Sequence, residues 1–229
     1  MAHHLLFLPG AGGAASFWHP LGALLPASWR KTYLSWPGLG HEPHEPSVRS
    51  LDDAVAHAVR ALEEPSVVVA QSMGGVVAVR LALAHPDRIS HLVLTATSGG
   101  IDVASAGAAD WRMSYRAEYP NAAEWILTER TDLSSELHRL TIPTLLLWGD
   151  ADPISPVGVG RQLERLLPRA RLRVLAGGDH GFARDRAGEI APWIAEHLLT
   201  SSSVGSAERS RVMPDVLLAD AVVSSSCAQ

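Results

Sequence analysis

Val67-Val68-Val69-Ala70-Gln71-Ser72-Met73-Gly74-Gly75 is the stretch whose reading decides the fold. Three consecutive valines form a short apolar run without polar alternation, which predicts a strand buried on both faces. From Met73 to about Ala84 the residues are apolar almost all round, and Pro86 follows. That predicts a deeply buried helix closed just before the proline. Ser72 stands alone at the junction. A strand-to-helix turn this sharp holds its central residue in a strained backbone conformation and pushes its side chain outward. Small residues are needed two positions before and after, where strand and helix approach, and Ala70 and Gly74 meet that need.

Working outward, similar apolar runs recur at Leu5 to Leu8, Thr32 to Trp36, Leu92 to Ala96, Thr144 to Trp148 and Leu172 to Leu175. Helical patterns lie between them. Ser50 is placed to cap one, with Asp52 and Asp53 in its first turn near the positive end of the dipole and Leu51, Val55, Val59 and Leu62 on one face. Gln162 to Leu167 predicts another, stopped by Pro168, and Glu189 to Leu199 a further one that tolerates Pro192 only in its first turn. The expected class is α/β: an open, mostly parallel sheet of about six strands with helices on both faces.

Residues 101–140 break the rhythm, with Trp111, Tyr115, Tyr119 and Trp125 but no convincing strand, and are expected to form a helical insertion. Residues 200–229 are serine-rich and are expected to be a poorly ordered tail, although the apolar Val216 to Val223 could dock. The core is thus assigned to 1–100 and 141–199.

Composition narrows the partners. Of 229 residues, 47% are hydrophobic and 19% charged, with a net charge of −5, which excludes disorder of the whole chain. Lys31 is the one lysine and no basic run occurs, which argues against nucleic-acid binding. Cys227 is the one cysteine, so neither an internal disulfide nor a cysteine-based zinc site can form. No apolar stretch approaches the roughly 20 residues of a membrane span. The N-terminus reads as a strand entering a glycine turn, so a cytoplasmic protein is expected. Nothing in the sequence indicates an oligomeric state.

Three further segments carry candidate chemistry. Pro9-Gly10-Ala11-Gly12-Gly13 follows the first strand. It has neither the Gly-Lys-Ser/Thr of a phosphate loop nor dinucleotide-binding glycine spacing, so its backbone N–H groups suit an oxyanion, with Ala11 and Met73 as the donor pair. Trp148-Gly149-Asp150-Ala151-Asp152-Pro153 ends a buried strand with two aspartates. One could orient a histidine and the other close an Asx turn. Gly177-Gly178-Asp179-His180-Gly181 sets a histidine on a loop past the last strand. His19, near the glycine turn, is its closest rival. His85 and His91 flank the turn after the helix that follows Ser72, where solvated or capping roles suit them.

In these motifs, and in the chain order Ser72, Asp152, His180, the sequence resembles the α/β-hydrolase superfamily over about residues 4–199. The likeness is to small serine esterases and thioesterases, including the pimeloyl-ester carboxylesterase and menaquinone-pathway lyase groups. It implies Ser72 as nucleophile, His180 as base and Asp152, three residues after Gly149, as the orienting acid. It also implies an oxyanion hole at Ala11 and Met73, a cap over the site at 101–140, and no metal or organic cofactor. Pro9 stands where the family often has His, Ser35 where an Asp is common, and Ala70 where Gly is commoner. The chain opens at the strand leading to the oxyanion turn, so the family's usual N-terminal hairpin is not expected. The serine speaks against the epoxide hydrolase and dehalogenase branches, which use aspartate there.

The resemblance implies an esterase or thioesterase acting on small or medium acyl substrates, with a small-molecule apolar ester or acyl compound as its partner. A C–C bond hydrolase, lyase or cofactor-free peroxidase on the same triad, and a non-catalytic binding protein, are the alternatives. Trp111, Tyr115 and Trp125 are candidates to contact the acyl group, and Arg112, Arg116 and Arg130 to hold a carboxylate or phosphate. Packing of the cap by those aromatics, with solvated arginines, is the competing expectation.

Overall fold

The computed structural model describes residues 3–62 and 65–209, the last ten by backbone alone. Six strands form one sheet in the order β2-β1-β3-β4-β5-β6, every neighbouring pair parallel. They are β1 (His4–Leu8), β2 (Arg30–Tyr33), β3 (Ser66–Gln71), β4 (Ile89–Thr95), β5 (Thr144–Gly149) and β6 (Ala170–Leu175). The helices are α1 (His19–Leu24), α2 (Leu51–Ala61), α3 (Met73–Ala84), α4 (Arg112–Glu118), α5 (Trp125–Thr128), α6 (Val157–Leu166), α7 (Phe182–Asp185) and α8 (Ala187–Arg209).

The unbroken apolar runs are explained by two cores, one on each face. Along β1, Leu5 and Phe7 enter one cluster and Leu6 and Leu8 the other; Val67 and Val69 are parted from Val68 and Ala70 on β3 in the same way. Side chains alternate across a strand, so both faces must be apolar when helices cover both. α2, α3 and α6 cover one face with the 101–140 segment at its edge, while α1, α7 and α8 cover the other. The edge strands β2 and β6 are only partly buried. Ser50 caps α2 as expected, its hydroxyl accepting the N–H of Asp53 at 3.2 Å.

Several elements differ from the sequence reading. β2 ends at Tyr33 rather than Trp36, because Trp36 leaves the sheet and donates its indole N–H to the Pro9 carbonyl at 2.7 Å. α6 begins at Val157, five residues earlier than the pattern suggested. α8 carries Pro192 in its second turn, not its first. The carbonyl that loses its helical partner belongs to Gly188, which is exposed and can be hydrated. α8 also runs through Arg209, ten residues into the segment read as a tail. Residues 210–229, with Val216 to Val223, lie outside the described residues. His91 is buried on β4, where neither solvation nor capping applies. The 101–140 segment holds α4, α5 and two 3-10 turns and no strand. No described helix is long and apolar enough to cross a membrane.

Candidate active site

The chain reverses direction across the sheet between β1, which is followed by β2 on one side, and β3, which pairs on the other. A crevice at the carboxyl ends of the strands opens at such a switch point. The Gly10–Gly13 turn after β1 and Ser72 after β3 both lie there.

Ser72 has φ 52° and ψ −122°, a left-handed conformation rare outside glycine that costs on the order of 1–3 kcal/mol. Three hydrogen bonds hold it: its N–H donates to the Thr95 carbonyl at 3.0 Å, and its carbonyl accepts the Thr97 hydroxyl at 2.6 Å and the Gly75 N–H at 2.9 Å. The close approach is measurable at Gly74, where a Cβ would stand 2.3 Å from the Pro9 carbonyl oxygen and 2.6 Å from that of Leu8. No side chain fits there. Gly10 is confined by side chains instead, since its Cβ would fall 2.2 Å from Gln71 Oε1 and 3.0 Å from Ser72 Cβ.

His180 Nε2 lies 3.1 Å from Ser72 Oγ, and His180 Nδ1 lies 2.8 Å from Asp152 Oδ2. The Asp152 side chain is fully buried. Its second oxygen, Oδ1, accepts the N–H groups of Ile154 at 2.8 Å and Ser155 at 3.1 Å. One aspartate therefore both orients the histidine and closes the turn. Asp150 is exposed and accepts the Gly177 N–H. The imidazole is about one-quarter exposed, so the serine end of the chain is open to a reactant while the carboxylate end is closed. His19, the rival base, instead packs its ring on Tyr33 at 5.0 Å.

The N–H of Met73 opens α3, where helix N–H groups lack intrahelical acceptors and the dipole favours negative charge. Among the described residues neither this N–H nor that of Ala11 has an acceptor. Together these groups can activate a hydroxyl, stabilise an imidazolium, and supply two backbone donors to an oxyanion.

The predicted cap residues are placed differently from one another. Tyr115 is buried, and its hydroxyl donates to the Ala11 carbonyl at 2.7 Å while accepting the Gly40 N–H at 3.0 Å. That hydroxyl is committed to backbone. Trp111 and Trp125 are half-buried and pack against the core, Trp111 edge-on to Tyr115 at 5.5 Å. The arginines of the 101–140 segment are engaged within that segment. Arg112 lies over Trp111 and pairs with Asp110, Arg116 pairs with Glu124, and Arg130 donates to the carbonyls of Leu127 and Glu129. Burial pushes the Tyr119 hydroxyl up to about 12, with the nearby Glu118 adding to the effect.

Two neighbours of the site were not read from the sequence. Gln71 is buried and donates to the His180 carbonyl at 3.2 Å, linking the serine and histidine loops. Thr97 holds the Ser72 carbonyl and accepts the Gly99 N–H at 3.0 Å. A polar residue ending the apolar run was the one signal for Gln71; Thr97 follows its own strand with none.

Comparison with known proteins agrees with this architecture. A pimeloyl-(acyl-carrier protein) methyl ester esterase of Neisseria meningitidis serogroup C is 28% identical over 202 residues, covering 68% of this chain and 78% of its own. An esterase from Thermogutta terrifontis superposes with a TM-score of 0.71 at 20% identity, over 87% of this chain and 90% of that one. A bromoperoxidase from Bacillus anthracis does so with a TM-score of 0.72 at 18% identity, over 86% and 92%. Residues 3–125 match the family described as alpha/beta hydrolase fold. The chain belongs to that family.

Proposed function

We propose that this enzyme is a serine hydrolase that cleaves a carboxylic ester or thioester through an acyl-enzyme. The observation that carries the reading is the hydrogen-bonded series Ser72 Oγ, His180, Asp152, with contacts of 3.1 and 2.8 Å. His180 takes the proton of Ser72 as Oγ attacks the carbonyl carbon, and Asp152 holds the imidazole in the tautomer with its proton on Nδ1 and stabilises the cation. The carbonyl oxygen becomes an oxyanion between the N–H groups of Ala11 and Met73. His180 then gives its proton to the leaving alcohol or thiol. Water deacylates the serine by the same steps in reverse order, with His180 again as base. On this reading the segment 101–140 is the cap over the site, and Trp111 and Trp125, each partly exposed, are the candidates to contact an acyl chain.

The esterase relative from Neisseria supports the ester bond as target, since its name gives a methyl ester. The likeness to a bromoperoxidase at 18% identity bears on the fold alone.

The test is hydrolysis of p-nitrophenyl esters of increasing acyl length by the native enzyme and by Ser72→Ala. Turnover that depends on Ser72 and peaks at short or medium chains is expected. Undiminished turnover in Ser72→Ala overturns the assignment, and a native enzyme inert to the whole series overturns ester hydrolysis.

A further inference from the structure

Among the described residues other than glycine, a positive φ occurs at Ser72, at 52°, and at Ala96, at 45°. Each directly follows a strand, and those strands, β3 and β4, are neighbours. The chain around Ala96 grips Ser72 from both sides. Thr95, just before it, accepts the Ser72 N–H on its carbonyl at 3.0 Å. Thr97, just after it, donates its hydroxyl to the Ser72 carbonyl at 2.6 Å. Thr95, Ala96 and Thr97 are all buried. A left-handed alanine is costly and persists only where its surroundings hold it. Here the Ala96 N–H donates to the Leu147 carbonyl on β5 at 3.1 Å. The two strained residues thus belong to one backbone arrangement, in which the turn at Ala96 delivers Thr97 to Ser72.

The bond from Thr97 matters through the peptide it reaches. The Ser72 carbonyl and the Met73 N–H lie on the same planar trans peptide, so they point in opposite directions. Whatever fixes that carbonyl also aims that N–H. The carbonyl accepts two bonds, one from the Gly75 N–H in the first turn of α3 at 2.9 Å and one from Thr97, outside the helix. On the opposite edge the Met73 N–H has no acceptor among the described residues. Rotation of this peptide is a route by which Ser72 would relax toward an ordinary conformation, and it would swing the Met73 N–H aside. The Thr97 hydroxyl is itself anchored, since it accepts the Gly99 N–H at 3.0 Å. Its side chain sits against the backbone of α3, where a Cβ on Gly75 would stand 2.4 Å from Thr97 Oγ1 and 2.7 Å from Cγ2.

We propose that Thr97 is a positioning residue: its hydroxyl sets the Ser72–Met73 peptide so that the Met73 N–H is aimed at the carbonyl oxygen under attack. This rests on the acyl-transfer reading above and extends it to a residue that touches no side chain of the triad. A donor aimed before the reaction stabilises the oxyanion without reorganisation. That interaction is made in the transition state, so misaiming it lowers kcat/KM.

Thr97→Val keeps the branched shape and removes the hydroxyl, whereas Thr97→Ser keeps the hydroxyl and removes the methyl. For p-nitrophenyl ester hydrolysis, per active site titrated with a fluorophosphonate, Thr97→Val is expected to lower kcat/KM about tenfold, part of what a whole oxyanion donor supplies. Thr97→Ser should stay within about threefold of native. Affinity for an alkyl boronic acid, which forms a tetrahedral adduct on Ser72, should fall in Thr97→Val by about the same factor as kcat/KM. The acid limb of the kcat/KM–pH profile, set by the His180 base, should keep its midpoint while the plateau drops. General loosening of the site would move that midpoint as well.

Thr97→Val also leaves the Gly99 N–H without its acceptor. If that variant fails to fold, Thr97→Cys takes its place, with a small side chain that donates only weakly. Its kcat/KM is expected to fall about fivefold.

A kcat/KM within about twofold of native in Thr97→Val, or in Thr97→Cys where that variant replaces it, overturns the proposal while Ser72→Ala remains inactive. Equal losses in Thr97→Ser and Thr97→Val, a displaced acid limb, or an unchanged boronic acid affinity overturn it as well. If Ser72→Ala keeps its activity, the acyl-transfer reading falls first and this inference with it.

Discussion

Strand β3 has a serine–histidine pair at each end, and the two pairs differ in nearly everything else. At its first residue, Ser66 Oγ lies 2.9 Å from His4 Nδ1; just past its last, Ser72 Oγ lies 3.1 Å from His180 Nε2. His4 is flanked by hydroxyls on both nitrogens, with Thr32 Oγ1 at 2.9 Å on the other side, whereas His180 has a buried carboxylate there. Ser66 is wholly buried in an ordinary strand, while Ser72 is partly exposed in a left-handed conformation at the head of a helix. Burial lowers the pKa of His4, with Arg30 adding to the effect. A serine beside a histidine is thus not a nucleophile by virtue of the contact. On the proposed reading it becomes one where the backbone exposes the oxygen, a carboxylate stabilises the imidazolium, and unpaired N–H groups await negative charge.

Removing each hydroxyl breaks the comparison most strongly. Ser72→Ala should lower kcat/KM for ester hydrolysis at least about 10⁴-fold with the fold intact. Ser66→Ala should leave kcat/KM within about twofold and cost on the order of 1 kcal/mol of stability, measured by urea unfolding, because His4 loses a buried partner. Equal losses of activity would erase the distinction between the ends. The carboxylate comes next. Asp152→Asn should lower kcat about 10³- to 10⁴-fold by holding the wrong tautomer, while Asp150→Asn, altering an exposed turn, should change it by about threefold or less.

A smaller effect belongs to the amino end alone. Burial chiefly, together with His197, His3 and Arg169, lowers the pKa of His91 to about 4. The unfolded chain binds this proton near pH 6.5 and the native state only near 4. Between those values the unfolded state holds more protons, so stability is full above pH 6.5 and falls as the pH drops toward 4, by roughly 2–3 kcal/mol from this group. His197, His3 and His4 are shifted in the same direction. Unfolding free energies over that range should show the loss, and His91→Leu should flatten it; an unchanged slope would remove His91 from the account.

The legible parts of this molecule were those where local pattern and tertiary role coincide. The valine run, Ser72 and the apolar α3 form one uninterrupted motif, and both Asp152 and His180 sit on turns directly after strands. What escaped was set by distant partners. Leu34 and Trp36 look like strand residues, yet Trp36 is apolar because it buttresses Pro9. β6 starts two residues early because its arginines, on an edge strand, interrupt the apolar run. His91 resembled a surface residue beside a turn, and its burial comes from α8, more than a hundred residues away, whose His197 ring packs against it at 5.3 Å. The bond from the Tyr115 hydroxyl to the Ala11 carbonyl spans 104 positions, and no local pattern announces it.

The central claim, that one serine of this chain is activated by its histidine, is tested most directly by reacting the native protein with a fluorophosphonate and mapping the adduct by peptide mass spectrometry. A single adduct on Ser72, formed at least about a hundredfold more slowly in His180→Ala, is the expected result. An unlabelled native protein, an adduct on another serine, or a rate indifferent to His180 would contradict it.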